Sequence, residues 1–393
     1  MISSKMQGMF DRIVLPTVQA AARSFPVVVI VGARQVGKTT LARTAFPRFA
    51  YRDLEDPRTA ERFAADPRHA LDETAGTGLV LDEAQAQPAV FAALRGAVDE
   101  KRSENGRFVV LGSAQPGLVG GVAESLAGRV RLVELDPLTA AEAASGEYGL
   151  GWHDAWVKGG LPDALRGDFR AWWEAYLRTV LERDLPQYGV RAAPLFLRRL
   201  LTMLAHLHGG LLNASQLGSS LGVSHHAVLR YLDVLEQVFL IRRLAPYFRN
   251  VGKRLTRSPK VYLRDTGLLH HLLNISNAEE LFNHPSRGVS WEGFVIEDIV
   301  RRERIAHPRS QAYFWRTAAG AEVDLLLDRG NERVAIEIKA GRGDDARVVR
   351  TLREALPDIG ARHGWIVDQA AGSEPLGREV ARIGFEVAID GVP

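Results

Sequence analysis

The chain has no cysteine, which excludes disulfides, thiolate metal sites and cysteine nucleophiles together. It also has no run of about 18 apolar residues, the length a membrane span needs. The opening MISSKMQGMFDRIVLPTVQ is interrupted by Asp11 and Arg12 before a signal-peptide core can form. Internal repeats and low-complexity tracts are missing too. These absences predict a cytoplasmic protein without membrane contact. Excess charge is lacking as well: 50 basic against 47 acidic residues leave +3, too little to argue for a nucleic-acid partner alone. What is present is an ordinary globular composition, 393 residues with 46% hydrophobic, 25% charged and 8% aromatic side chains, enough for several domains.

The distribution of charge says more than its sum. Between Arg191 and Lys260 stand eleven basic residues and only two acids, Asp233 and Glu236, so this window carries +9 and the remainder −6. Cation concentrated on one segment is the pattern of a phosphate-contacting surface, and equally of a solvated basic face with partners inside the protein.

Along the chain, residues 15–24 read as a helix leading into the all-apolar run Pro26–Val31, suited to a strand buried on both faces. Similar runs at Leu79–Leu81, Phe108–Leu111 and Val130–Leu135 are separated by helical stretches such as Pro88–Lys101. This alternation predicts an α/β domain with a parallel sheet over residues 1–145. A helical appendage follows over 146–190, where Trp173, Tyr176, Leu177, Val180 and Leu181 keep the 3.6-residue period. Residues 191–280 are helical and then strand-like. After Pro285-Ser-Arg-Gly288 a small α/β module is expected over 285–393.

Directly after the first strand comes Gly32-Ala-Arg34-Gln35-Val36-Gly37-Lys38-Thr39-Thr40, a full G-x-x-x-x-G-K-[ST] loop in its strand-to-helix setting. Its glycines let backbone N–H groups wrap a phosphate, Lys38 neutralises the β and γ oxygens, and Thr39 offers a hydroxyl to Mg²⁺. About forty residues on, Leu79-Val-Leu-Asp82-Glu83 ends a strand in two acids. Asp82 is placed to hold the Mg²⁺ shell and Glu83 to polarise the attacking water. The next strand ends in Gly112-Ser113-Ala-Gln115, where either Ser113 or Gln115 is positioned to sense a γ-phosphate.

These features resemble the AAA+ ATPases. The resemblance implies an arginine finger supplied by a neighbouring subunit, and Arg129, in Glu124-Ser-Leu-Ala-Gly-Arg129-Val, is its match. It also implies a lid over the nucleotide, matched by Gly159-Gly-Leu-Pro162, with Pro162 against the nucleotide. Each has a plainer reading, a helix-terminal arginine satisfying carbonyls and a helix-start proline.

In the basic segment, residues 214–224 and 225–237 read as helix, Gly-containing turn, helix. Leu217, Leu221, Leu229, Leu232 and Leu235 face inward; Ser224, His225, His226 and Arg230 face outward. Residues 239–244 and 249–260 then suggest the strands and basic tip of a wing, with Arg249, Lys253, Arg254, Arg257 and Lys260. A winged helix on DNA is expected; a protein-binding winged helix is the alternative.

In the last module Asp324 follows Glu322-Val, and Glu337-Ile-Lys339 lies in the next strand, with Glu337 and Lys339 on one face. Two acids and a lysine on a sheet face suit a second Mg²⁺ or Mn²⁺ and phosphodiester chemistry. The spacing resembles the PD-(D/E)xK nuclease superfamily, which implies a further acid on the preceding helix, matched by Glu297. Cleavage, or a nuclease-derived scaffold that only binds DNA, both remain open.

The order of modules, with GARQVGKTTL, LDEAQ, SLAGRV, GGLP, Leu181-Glu-Arg-Asp184, Arg264-Asp-Thr-Gly267 and the EVD/EIK pair, resembles a bacterial and archaeal family of ATP-binding proteins. In that family an AAA+ domain is fused to a C-terminal region. The reading is an α/β protein: a P-loop AAA+ sheet domain with helical lid, a winged-helix domain and a nuclease-like domain. Its expected activity is Mg²⁺-dependent ATP hydrolysis by a homo-oligomer, with a hexameric ring as the candidate assembly, that remodels duplex or branched DNA. An ATP-dependent nuclease and a nucleotide-gated switch on a protein partner are the alternatives.

Overall fold

In a computed structural model, which describes residues 10–73, 76–112, 122, 125–146, 148–248, 257–318, 320–389 and 391, the apolar run at the start is strand β1 (Val27–Gly32), buried throughout. It centres a sheet with β2 (Ala50–Asp53), β3 (Leu79–Asp82), β4 (Phe108–Gly112) and β5 (Val130–Leu135). The order is β2-β3-β4-β1-β5 and every pair is parallel. Val27, Val29 and Val31 pack with Leu79, Leu81, Phe91, Leu94 and Val110 in the core. The chain leaves β1 for the far edge of the sheet and returns to lay β4 beside it. That crossing opens a crevice at the carboxyl ends of the strands, where open α/β sheets take their ligands. Strand β2, four half-buried residues, is too short and too polar for its sequence to announce.

This sheet forms one compact unit, Arg12–Pro137 with Gln237–Phe239; the remainder of the chain forms the other. The second unit begins with short helices, among them Trp152–Lys158, Pro162–Arg166 and Phe169–Thr179. Helices Pro194–His206, Ala214–Leu221 and His225–Gln237 follow, the last two joined by a turn in which Gly222 adopts φ +70°. The strands β6 (Ile241–Pro246), β7 (Lys260–Leu263), β8 (Gln311–Arg316), β9 (Glu322–Asp328), β10 (Arg333–Ile338), β11 (Gly364–Asp368), β12 (Ser373–Pro375) and β13 (Val380–Gly384) make one sheet. Its order is β12-β13-β11-β10-β9-β8-β6-β7.

The segments expected as lid, winged-helix and nuclease-like domains all lie within the second compact unit. The antiparallel pair β6/β7 is the edge of the larger sheet, because the end of β6, Ala245 and Pro246, pairs with Tyr313 and Phe314 of β8. A two-stranded hairpin alone is marginal, and joining a larger sheet pairs an otherwise open edge.

Two sequence motifs lock together inside this unit. Asp265 accepts hydrogen bonds from the backbone N–H of Gly160 and of Gly267, both 2.9 Å. Gly159 has φ +90°, and a Cβ there would lie 1.9 Å from Asp265 Oδ1; a Cβ on Gly267 would lie 2.0 Å from the Lys158 carbonyl. The glycines of GGLP and RDTG serve this close approach. Pro162 is buried at the first turn of its helix within the same unit. Among the described residues no helix is long and apolar enough to cross a membrane.

Candidate functional site

At the carboxyl end of β1 the loop backbone turns left-handed at Gln35 (φ +58°) and Gly37 (φ +98°) before the helix Lys38–Ala45 begins. Such turns direct successive N–H groups into a concave anion nest. Gly32 is tightly enclosed: a Cβ would lie 2.3 Å from the Leu135 carbonyl. Lys38 is buried and donates to the carbonyls of Gly32 (3.1 Å) and Ala33 (2.9 Å). Arg12, which the sequence did not single out, donates to the carbonyls of Val36 (2.9 Å) and Asp136 (2.5 Å) and so braces the back of the loop. The side chains of Arg34 and Thr40 lie on the loop and the helix it starts, half-buried and exposed respectively.

Strand β3 delivers the acids. Asp82 Oδ2 accepts from Thr39 Oγ1 at 2.7 Å and from the Tyr51 hydroxyl at 2.6 Å. Tyr51 comes from β2, the strand the sequence hid. Burial and the nearby Asp82 carboxylate raise the Tyr51 pKa, so the phenol stays protonated and donates. Glu83 has φ +49°, unusual for a non-glycine residue and a form of backbone strain found at functional sites. Its carboxylate accepts from Gln85 Nε2. Burial raises the Glu83 pKa, and the Lys38 charge opposes that rise. A hydroxyl and a carboxylate oxygen 2.7 Å apart beside a buried ammonium are hard donors that fit Mg²⁺ and a nucleotide phosphate. Ser113 and Gln115 lie outside the described residues.

Arg129 precedes β5, whose first residue pairs with Val27 at the opposite end of β1 from the loop. Five residues of strand at ~3.3 Å each put it about 17 Å from the loop of its own chain. Its guanidinium holds Asp99 through two contacts of 2.8 and 3.1 Å.

The second unit rearranges the nuclease-like candidates. Asp324, Glu337 and Lys339 do converge: Lys339 Nζ lies 2.6 Å from Glu337 Oε1 and 3.9 Å from Asp324 Oδ2. Glu297 does not join them. It is buried against Arg242, Arg264 and Arg301, whose charges outweigh burial and hold its pKa down to about 2. The helix acid facing Asp324 is Glu292, five residues earlier and therefore on another side of the helix Arg287–Ala306. Lys260, expected on an exposed basic tip, is 3% exposed and paired with Glu292 (2.9 Å) and Glu322 (2.5 Å). It sits on β7 inside the sheet, where an unpaired ammonium would be costly. Tyr262, also on β7, donates to Glu292 Oε1 at 2.5 Å. Glu292, Glu322 and Tyr262 were missed because their partners are distant in sequence. Among the described residues no three acidic or imidazole side chains are arranged to hold a metal ion, so the expected second Mg²⁺ or Mn²⁺ finds no support in this cluster.

Of the DNA-facing candidates, Ser224, His225, His226 and Arg230 are exposed at the start of the second helix of the helix–turn–helix, and Arg257 is exposed. Arg249, Lys253 and Arg254 lie outside the described residues. Part of the +9 window is neutralised by acids outside it: Arg198 by Glu174, Arg242 by Glu297, and Lys260 as above.

Parallel sheet, phosphate loop and acidic strand end define a P-loop ATPase domain of the AAA type, and residues 24–144 match the AAA domain family. Residues 150–279 and 287–385 match two families described as domains of unknown function, DUF8612 and DUF4143. A Mycobacterium tuberculosis protein, uncharacterized protein Rv2008c, is 43% identical over 341 residues, covering 85% of this chain and 74% of its own length. The chain belongs to the same family as that mycobacterial protein. The UPF0102 protein Rsph17025_0472 of Cereibacter sphaeroides is 39% identical over 103 residues, 25% of this chain and 82% of its own length. Among solved structures, the Walker-type ATPase PABY2304 of Pyrococcus abyssi is 14% identical with a TM-score of 0.46, over 67% of this chain and 96% of its own.

Proposed function

We propose that this protein is a Mg²⁺-dependent ATPase that works as a homo-oligomer and couples ATP turnover to binding and remodelling duplex or branched DNA. The observation that carries the ATPase reading is the Thr39–Asp82 pair, 2.7 Å apart beside Lys38, with Glu83 one residue further along the chain. Bound Mg²⁺ supplies charge neutralisation at the β and γ phosphate oxygens. Thr39 and Asp82 would hold it, and Lys38 would exchange its loop carbonyls for those oxygens. Glu83 orients the attacking water and accepts its proton. Arg129 is too far from its own loop to help there, so its role is across a subunit boundary, after release from Asp99.

The DNA reading rests on the exposed Ser224, His225, His226 and Arg230, at the end of a helix that enters a groove in helix–turn–helix proteins. ATP hydrolysis measured without DNA, with linear duplex and with a four-way junction at fixed salt tests it. Stimulation greatest with the junction, and lost in Arg230→Ala, supports the remodelling reading; a rate indifferent to every DNA sinks it. That second outcome would favour a nucleotide-gated switch on a protein partner, a reading supported by the internal neutralisation of Arg198, Arg242 and Lys260.

A further inference from the structure

Four carboxylates, two ammonium groups and a phenol meet where β7, β9, β10 and the helix Arg287–Ala306 converge. Lys260 Nζ lies 2.9 Å from Glu292 Oε1, 2.5 Å from Glu322 Oε1 and 3.7 Å from Asp324 Oδ1. Its burial alone would lower its pKa, but these carboxylates outweigh burial and keep the ammonium charged. At least one oxygen of every acid is already engaged. Glu292 Oε1 accepts from Lys260 and Tyr262, Glu322 Oε2 from Arg316 at 2.8 Å, Asp324 Oδ2 from the backbone N–H of Ile338 at 2.9 Å, and Glu337 Oε1 from Lys339. Glu337 Oε2 is buried with no hydrogen-bond partner. Lys260, Lys339 and Arg316 supply three cations to the four acids, and Lys260 is the one that stands among three of them.

We propose that Lys260 is the resident cation of this cluster, standing between Glu292, Glu322 and Asp324 where a divalent ion would have to sit, and that it keeps the nuclease-like site closed to metal. The geometry supports this on three counts. A Mg²⁺, Mn²⁺ or Ca²⁺ ion takes carboxylate oxygens at roughly 2.0–2.6 Å, which leaves no room for an ammonium on the same oxygens. Lys260 starts from a paired strand, is 3% exposed and is held by two carboxylates, so it is not a mobile surface side chain that a metal displaces by swinging it aside. Without Lys260, Glu292, Glu322 and Asp324 lose the one cation they share, so removing its charge exposes acids that need a replacement. The nuclease-like resemblance of the region would then describe ancestry of the scaffold, and the resting protein would use these acids to anchor β7 to the helix and to β9.

Mn²⁺ titration of the full chain, stripped of metal and free of nucleotide, tests this, with bound Mn²⁺ counted by the loss of the free-ion paramagnetic resonance signal. The proteins are wild type, Asp324→Asn, Lys260→Arg, Lys260→Met and Lys260→Met/Asp324→Asn; any Mn²⁺ at Thr39 and Asp82 is common to all five. Wild type and Lys260→Arg are expected to bind Mn²⁺ no better than Asp324→Asn. Lys260→Met is expected to gain one further Mn²⁺, at least ten-fold tighter than any Asp324-dependent binding in wild type, and the double variant to lose it. Asp324-dependent Mn²⁺ binding by wild type would overturn the proposal, as would a folded Lys260→Met, judged by circular dichroism, that binds no more than wild type. Should Lys260→Met fail to fold, the comparison of wild type and Lys260→Arg with Asp324→Asn still decides: binding that depends on Asp324 overturns the proposal, and its absence supports it.

Discussion

Tyr51 donates its hydroxyl to Asp82 Oδ2 at 2.6 Å, the same oxygen that accepts from Thr39 at 2.7 Å. The phenol thus fixes the carboxylate that faces the phosphate loop. One net hydrogen bond is worth about 1 kcal/mol, so Tyr51→Phe is expected to weaken Mg²⁺-nucleotide binding about five-fold while leaving metal-free nucleotide binding and folding nearly unchanged. Titration with a fluorescent ADP analogue, with and without Mg²⁺, reads both arms. Equal affinities in wild type and variant would show the phenol to be idle.

Glu83→Gln is expected to keep nucleotide binding and lose at least about 100-fold in turnover, the usual scale of a general base. Lys38→Ala is expected to lose turnover together with affinity, since its ammonium would contact the phosphates directly. Persistent hydrolysis in Lys38→Ala would remove the catalytic assignment of the loop.

Because about 17 Å of strand separates Arg129 from its own loop, Arg129→Ala and Lys38→Ala are each expected to be inactive alone and to recover part of the activity when mixed. A mixed assembly pairs an intact loop with an intact arginine only if the arginine acts across subunits. No recovery on mixing, with subunit exchange verified, would assign Arg129 to its Asp99 pair alone.

Glu297 is surrounded by Arg242, Arg264 and Arg301. Glu297→Ala leaves three guanidinium groups without their buried acid, and the expected loss is about 3–5 kcal/mol of stability, read as a lower urea midpoint. A variant of wild-type stability but altered metal binding would return Glu297 to the role its sequence position suggested.

Burial and the Asp324 charge push Glu337 up to about 8, against the opposing charge of Lys339. A carboxyl whose folded pKa is raised stabilises fully below its unfolded value near 4.5 and loses that contribution as pH rises through the folded value. Stability is therefore expected to fall from pH 6.5 to 8 by up to about 1.4 kcal/mol per unit for this group, and Glu337→Gln to flatten the fall. Below pH 6.5 the buried His208 and His270, pushed down to about 3 and about 4 by burial, act in the opposite sense. Glu292, pushed up to about 7 by burial and the Asp324 charge, adds to the fall in the lower half of this window, so the difference between wild type and Glu337→Gln is what reports Glu337. Unchanged slopes in Glu337→Gln over that window would contradict it.

Much of the nucleotide site was legible because its parts are local. The loop Gly32–Thr40 needs its glycines, lysine and threonine within one turn, and Asp82-Glu83 needs only a strand to carry it to the same edge. Strands β1, β3 and β4 were each visible as apolar runs, since strands covered on both faces lack polar alternation. Tyr51 was hidden because β2 is short and half-buried, so neither its period nor its hydrophobicity departs from that of a loop. The helix acid was assigned to Glu297 because sequence spacing does not show which side of a twenty-residue helix faces a sheet; Glu292 and Glu297, five positions apart, point about 140° apart.

By itself, then, the sequence determined the phosphate loop, the acidic strand end and the parallel order of an α/β domain, because backbone conformation and short-range periodicity decide them. Only the tertiary structure decided that β6 and β7 edge the same sheet as β8 to β13, that Arg242 and Lys260 spend their charge on buried carboxylates, and that Glu292 meets Asp324. Those are pairings between residues tens of positions apart, and their energies depend on which surfaces the folded chain removes from water.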